Sequence, residues 1–595
     1  MVHLPPGLHY LVRLILSWII VSCTAYVFLD VFSRLGAPIS NRVAIASALL
    51  FNPVFLFASY VWNVHSASAE ARRTGSLMVP QVHDPWPLGL SLMAAMVKSF
   101  KSGYPGRYLP YINCVLTSFF GSLSLAYRCS RNVEIFTFEP DHVKAILATQ
   151  FDDFEKGPIF RSQLTTLLGT GVFNSDGEMF HRSITRPFFT KERISHFEVF
   201  DRHSEDALDQ AMIRQDEGYP IDFQDLVSRF TLDSASEFLF GHCVRSLSAG
   251  LPYPSPSSLY PASRQSSETQ HPSNRFVDSF LQGQLLSALR TRYGPSWALL
   301  EFWKDRVLPH RAVIDEFAQP ILEEAIRNNR TRKEQNATEK NGEELLGGTL
   351  LDHLVSQTED RQILKDELVN LLVAARDTTA STLTFAMYML TQHPDIVTRL
   401  RTEIAQIVGT GVPSYEQIKD MKFMRAFINE TLRLYPPVPF DSRTSNKATT
   451  LPNRPSTANP DARPFYIPAH TKCSYGVFLM HRREDLWGPD ALKFDPDRFL
   501  DERLYKYLVP NPFIFLPFNA GPRICLGQQF AYNEVSFLLT QLLQRYARFT
   551  LAEPTKSDGV HPGWHLTMYV KGGLWVHMEP APLDANKAAD EPGLM

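Results

Sequence analysis

The stretch Phe518-Asn519-Ala520-Gly521-Pro522-Arg523-Ile524-Cys525-Leu526-Gly527 decides how this 595-residue chain is to be read. It presents one cysteine, Cys525, from a glycine-bracketed loop just ahead of a helix. A thiolate there sits near helix-start amides, whose partial positive charge stabilises an anion. Gly521 and Gly527 carry no Cβ, so the backbone beside the sulfur can press against a flat ligand. Arg523, two residues before the sulfur, is placed to neutralise an acidic edge of that ligand. Taken alone, a lone cysteine is more often a buried free thiol. What decides between the two readings is the company the loop keeps.

Working back from the loop, the longest helical pattern runs from about Gln362 to His393, about 45 Å at 1.5 Å per residue. Pro394 ends it. Its middle, LLVAARDTTAST (371–382), is an apolar run broken by Asp377, Thr378 and Thr379. Polar groups inside a buried helix are costly unless partnered. Threonines there either serve chemistry or back-bond to carbonyls one turn earlier and bend the helix. Further on, Glu430 and Arg433 stand three apart on one helical face, in NETLRLYPPVPF (429–440). Such a pair is by itself an ordinary surface feature. The stretch Phe494-Asp495-Pro496-Asp497-Arg498-Phe499 supplies another arginine, Arg498.

Together these motifs resemble the cytochrome P450 family, whose cysteine loop reads Phe-x-x-Gly-x-Arg-x-Cys-x-Gly and whose cysteine thiolate is the proximal ligand of haem iron. Four motifs fall in the family's order over residues 374–527, and a looser likeness extends from about 130 to 578. DGEMFHRSITRPFF (176–189) and HRREDLWGPDALKFDPDRF (481–499) look like fungal membrane-bound members that oxidise alkanes, fatty acids and other lipophiles. The resemblance implies a mainly α fold with small β-sheets, the cytochrome P450 fold, holding haem b. Cys525 becomes the axial iron ligand, with Phe518, Gly521, Arg523 and Gly527 around the cofactor. Ala374-Ala375-Arg376-Asp377-Thr378-Thr379 matches the oxygen-binding groove, with Ala375 in a usual glycine place. Thr378 then faces the oxygen and Asp377 relays protons from solvent. Glu430, Arg433 and Arg498 become a buried ion cluster behind the loop.

One motif departs from the family. A tryptophan is expected four residues before the propionate-binding arginine, but Glu178 precedes Arg182 by four and no tryptophan is near. Against a pattern DGEMW-x-FHRS, two residues are missing between Met179 and Phe180, worth about 200° of helix rotation. Either the variant is natural or the gene model errs at an intron; transcript sequence across codons 176–186 separates the two.

Net charge is −3, which gives no reason to expect nucleic acid as a partner. Six scattered cysteines without metal-type pairing indicate a reduced compartment. A glycan on the sequon at Asn429 would crowd Glu430, so the body is expected on the cytosolic side. Residues 1–65 read as an N-terminal membrane anchor of one or two helices. LILSWIIVSCTAYVFL (14–29) is the first run, and Val43 to Trp62, with Asn52-Pro53 at its centre, is the second. A buried or re-entrant helix kinked at Pro53 is the alternative for the second. Arg34 and Arg42 oppose a lumenal loop between the runs, so topology stays open. Residues 66–130, with HDPWPLG at 83–89, read as a membrane-proximal segment and 131–580 as the catalytic domain. Within that domain, 246–275 reads as a flexible Ser/Pro-rich insert, 328–345 as a charged loop, and Lys571-Gly572-Gly573 as a hairpin turn. The tail 581–595 reads as disordered.

The leading functional expectation is a haem-thiolate monooxygenase that hydroxylates a long-chain fatty acid, alkane or similar lipophile. Electrons come from NADPH through a membrane-bound cytochrome P450 reductase, with cytochrome b5 as a further donor, at the cytosolic face of the endoplasmic reticulum. No flavin or nucleotide fingerprint occurs in the chain itself. The runner-up is tailoring of a fungal terpenoid or other secondary metabolite. A peroxide isomerase or dehydratase on the same fold is disfavoured because Asp377-Thr378 is kept. A haem-free scaffold would leave the cysteine loop without purpose.

Overall fold

The computed structural model describes residues 4–36, 39–80, 124–129, 132–176, 178–195, 197–254, 271–336, 348–453, 463–553 and 555–581. Two apolar helices, α1 (Pro6–Arg34) and α2 (Asn41–Arg73), come first. Both are long and apolar enough to cross a membrane. α2 passes through Pro53 without interruption and continues well beyond Trp62, so the second run is one continuous helix.

The body is helical, with α3 (Pro158–Leu168), α4 (Glu178–Thr185), α5 (Glu198–Asp216), α6 (Phe223–Phe240), α7 (Pro272–Arg292) and α8 (Leu308–Asn336). There follow α9 (Leu350–Gln357), α10 (Arg361–Gln392), α11 (Pro394–Ile407), α12 (Lys422–Leu434) and α13 (Gln528–Arg545). α10 starts where the Asp360 carboxylate accepts the amides of Gln362 (2.9 Å) and Ile363 (3.2 Å). It ends because Pro394 cannot donate to its ladder; the same proline opens α11 at its first turn.

α10 ties two cores together. Its first half, Leu364 to Val373, packs with α3, α7, α8 and α9. Its second half, Ala380 to Leu390, packs with α5, α6, α11, α12 and α13. The polar segment 374–379 falls at the seam between them.

Among the described residues, four small sheets flank the helices. Strands β1 (Leu77–Met78), β2 (Ser124–Cys129), β3 (Asn132–Thr137) and β4 (Phe154–Glu155) come early, and β5 (Ile221–Asp222) opens α6. Strands β6 (Phe440–Ser445), β7 (Thr449–Leu451), β8 (Phe465–Ile467) and β9 (Lys472–Gly476) lie between α12 and the cysteine loop. The last four are β10 (Tyr546–Leu551), β11 (Pro562–Trp564), β12 (Met568–Val570) and β13 (Trp575–Pro580). The largest sheet has the order β2-β3-β9-β6-β4, and two three-stranded sheets read β1-β8-β7 and β10-β13-β5.

Three local expectations are corrected. Lys571-Gly572-Gly573 is a corner between sheets, since β12 pairs with β11 and β13 pairs with β10 and β5. Its cause is Gly573, whose φ is +83° and whose Cβ would lie 2.3 Å from the Asp222 carboxylate. The start of the supposed insert is core, because the Asp233 carboxylate takes the amides of Ser246 (2.7 Å) and Leu247 (2.9 Å) and Leu251 is buried. Its end is helix from Pro272, and 255–270 lie outside the described residues. The charged stretch expected to loop from 328 stays helical to Asn336, as its Arg, Lys, Glu and Gln content favours. The HDPWPLG segment and the tail from 582 also lie outside the described residues.

Candidate functional site

The loop holding Cys525 is closed by its own amide, which donates to the Phe518 carbonyl at 2.9 Å. Phe518 packs its ring 5.2 Å from that of Tyr532 on α13. Gly521 has φ +62°, and a Cβ there would come within 2.6 Å of the Leu147 carbonyl. The first use of that glycine is therefore to seat the loop on the helical turn at Ala145–Thr149. Gly527 is different: the nearest atom to a Cβ there is on Phe189, 3.9 Å away, so the loop is open beside it. Arg523 is buried and donates to the carbonyls of Ile146 (3.1 Å), Phe151 (3.4 Å) and Phe154, binding the loop to the segment before α3. Arg182 of α4 donates to the Ile524 carbonyl at 2.6 Å, one residue from the sulfur. The side chains of 178–180 lie outside the described residues, so the missing pair there has no structural account.

Cys525 is enveloped by protein yet its own surface is open, as for a side chain lining an internal cleft. Burial pushes its thiol up, and the Gly527 amide and the Arg182 charge pull it back down. A bound cation at the sulfur would complete that pull.

Between Asp366 and Met387, α10 is buried except at Ala374, Ala375 and Thr378. At 3.6 residues per turn these three form one open stripe. Thr378 Oγ1 donates to the Ala374 carbonyl at 2.6 Å, and Thr382 repeats the bond to Thr378 at 2.9 Å. Asp377 is buried; one oxygen accepts from Arg376 at 2.6 Å and the other has no partner among the described residues. Burial lowers His565, near Asp377, to about 4 despite that carboxylate's opposing charge.

On the far side of Thr378, α10 meets α13. There Glu534 is fully buried, accepts from Ser234 at 2.7 Å, and is pushed by burial up to about 8 against the Ser234 and Thr379 hydroxyls. Sequence reading missed Glu534, Ser234, Arg376 and His565. The only signal was a lone acid in an apolar helix, in the stretch Tyr532-Asn533-Glu534-Val535-Ser536.

Behind the loop lies the ion cluster. Arg433 spends all five N–H bonds, two on Glu430 at 2.7 Å and three on the carbonyls of His481, Ala491 and Lys493. Arg498 stands 3.6 Å from Glu430 and has Asp490 as its principal partner, at 3.0 Å. Sequence reading missed Asp490, which is held down to about 2: the Arg498 and Arg503 bonds outweigh the opposing burial. His481 connects this cluster to the loop, since its Nε2 accepts the Leu516 amide at 2.9 Å. Asn429 bonds Tyr532 at 2.6 Å, so its amide is engaged inside the fold.

A soft anionic donor on an open loop, an arginine beside it, and on α10 an open stripe of two alanines and a threonine suit a flat metallated macrocycle. Comparison with known proteins agrees. The cytochrome P450 family model matches residues 127–563. The chain is 31% identical over 529 residues to cytochrome P450 monooxygenase pvhE of Talaromyces variabilis, covering 85% of this chain and 91% of that one. It is 35% identical over 456 residues to cytochrome P450 52A3-A of Candida maltosa, covering 74% and 80%. It is 36% identical over 428 residues to cytochrome P450 monooxygenase himC of Aspergillus japonicus, covering 71% and 70%. This is a haem-thiolate oxygenase fold, and the chain belongs to the cytochrome P450 family as one of its monooxygenases. The family's cofactor is haem b, bound through a cysteine thiolate.

Proposed function

We propose that this monooxygenase hydroxylates a long-chain fatty acid, alkane or similar lipophile at the cytosolic face of the endoplasmic reticulum. Its electrons come from NADPH through a membrane-bound cytochrome P450 reductase, with cytochrome b5 as a further donor. The observation that carries the reading is the open Ala374-Ala375-Thr378 stripe on an otherwise buried helix, together with the open Cys525 loop. Bound haem supplies the redox centre at which one oxygen atom enters substrate and the other leaves as water.

Cys525 holds the iron as thiolate, its charge supported by the Gly527 amide and by Arg182. Arg182 and Arg523 supply positive charge for the propionates. Thr378 keeps a proton at Oγ1 on the open stripe, and Asp377 is the acid next to it on the same helix. Ala374 and Ala375 are small and apolar, so they admit a flat ligand and offer no competing bonds. Phe440 is half-buried, with rings of Phe136 and Trp564 at 5.9 and 5.4 Å, and forms part of an apolar wall suited to an alkyl chain.

The test is the reduced carbon-monoxide difference spectrum of the chain in microsomes, followed by NADPH-dependent turnover of fatty acids and alkanes. A strongly red-shifted Soret band and hydroxylated long-chain product are expected. A thiolate-type band with turnover confined to compact terpenoids would reassign the substrate while leaving Cys525 as ligand.

A further inference from the structure

The two N-terminal helices pack as an antiparallel pair, and the seam between them is built. Ala44, Ala48 and Asn52 are the buried residues at the heart of α2, four apart, so small side chains let the two backbones approach. Asn52 Nδ2 donates to Ser22 Oγ at 2.6 Å and reaches the Trp18 carbonyl at 3.4 Å, a polar bond midway along both apolar runs. Away from that seam the helices expose large apolar side chains, Phe28 at 71% and Leu50 at 66%, and the exposed Ser17 and Thr24 hydroxyls back-bond to their own helix.

Both outer ends of the pair are fastened to the catalytic body. α2 runs out through Arg73 into β1, which pairs in parallel with β8 at Leu77–Phe465 and Met78–Tyr466. The start of α1 lies against the turn Gly294–Glu301 that joins α7 to α8. Gly7 is buried there, and a Cβ on it would stand 2.4 Å from Phe302 Cα. The end of α1 at Arg34 and the start of α2 at Asn41 therefore lie at the far tip. At 1.5 Å per residue the helices are about 44 and 50 Å long, against a hydrocarbon layer of about 30 Å.

We propose that the anchor is a two-span helical hairpin in the lipid bilayer. Its tip crosses to the lumenal side, and the start of α1 returns to the catalytic domain's side and docks on the α7–α8 turn. The direction rests on the two fastened ends rather than on charge: Arg13, Arg72 and Arg73 lie at the body end, Arg34 and Arg42 at the tip oppose it, and Arg34 is paired with Asp30 at 2.8 Å. The turn carries Leu299 and Leu300 exposed, with exposed Trp303 just after it, so the docked end sits at the depth where tryptophan prefers to be. The proposal rests on the membrane reading but not on the substrate.

Microsomes holding the full chain test it, with an epitope fused ahead of Met1 and a long spacer bearing a glycosylation sequon inserted after Gly36. Retention after carbonate extraction, a protease-accessible epitope and a glycan on the spacer are expected together. Release by carbonate overturns the membrane reading and the hairpin with it. Retention with a protected epitope, or with an unglycosylated spacer, overturns the hairpin alone. Gly7→Val addresses docking: cleavage by added chymotrypsin after Phe302, which Gly7 packs against, is expected to speed several-fold relative to cleavage after the already exposed Trp303, and an unchanged ratio removes the docked end from the proposal.

Discussion

Two polar islands, one behind the Cys525 loop and one on α10, follow opposite rules. In the Glu430–Arg433 island every donor of Arg433 and both oxygens of Glu430 are bonded and sealed from water, while Nε of the adjoining Arg498 lacks a hydrogen bond among the described residues. In the island on α10, one oxygen of Asp377 and the hydroxyls of Thr379 and Ser381 have no full hydrogen bond among the described residues. Both occupy buried helices, where an unmet polar group costs about 1–3 kcal/mol. A satisfied island fixes a geometry. An unsatisfied one is kept at a cost to stability, and it lies beside the open stripe where chemistry needs mobile protons.

The largest expected effect falls on the loop that both islands serve. Cys525→Ser should leave the melting profile of the body near that of the parent while abolishing the red-shifted carbon-monoxide band and reducing turnover to background. A variant that kept the band would show that another group binds the iron. Next comes the satisfied island. Glu430→Gln strands Arg433 in the core and should cost about 3–5 kcal/mol, read as a fall in the denaturation midpoint before any activity is measured. A loss under 1 kcal/mol would mean that the carbonyls of His481, Ala491 and Lys493 suffice.

On the unsatisfied island the balance reverses. Thr378→Ala removes only a bond within its own helix, so stability should move by less than about 1 kcal/mol. Turnover should fall about 10²-fold, the scale of a lost positioned proton donor. Thr378→Ser should restore most of it. Equal loss in both variants would instead point to the threonine methyl and a packing role.

The difference between the islands also sets how far the sequence could be read. Glu430, Arg433 and Arg498 stand in short motifs with fixed spacing, and the helix containing Thr378 was bounded correctly by its apolar run and Pro394. Asp490, His481 and Glu534 were not legible. Glu534 reaches Ser234 across 300 residues and His481 reaches Leu516 across 35, while Asp490 lies only eight residues before Arg498 but belongs to no recognisable motif. The corner at Gly573 was misread as a hairpin for the same reason. Its meaning is the Asp222 carboxylate packed against it, which no local pattern contains. Gly521 was read as room for a ligand, and the structure first uses it as room for the Leu147 carbonyl.

The smallest effect concerns Glu534, which belongs to the second island by contact and to α13 by sequence. Folded, it keeps its proton up to about pH 8, because burial penalises the charge; unfolded, it loses it near 4.5. Between those values the folded state binds the extra proton, so raising pH should remove about 1.4 kcal/mol of stability per unit. That contribution is whole below pH 4.5 and is lost as pH rises towards 8. Asp222, pushed by burial to about 7, adds a second slope of the same sign that fades sooner. Glu534→Gln keeps the shape and the Ser234 contact and removes only the titration. Midpoints measured from pH 5 to 8 should therefore fall less steeply in the variant than in the parent, and most visibly above pH 7, where Asp222 no longer contributes. Parallel curves would mean that the carboxyl beneath Thr379 is already ionised in the fold, and that the second island stores no proton at Glu534.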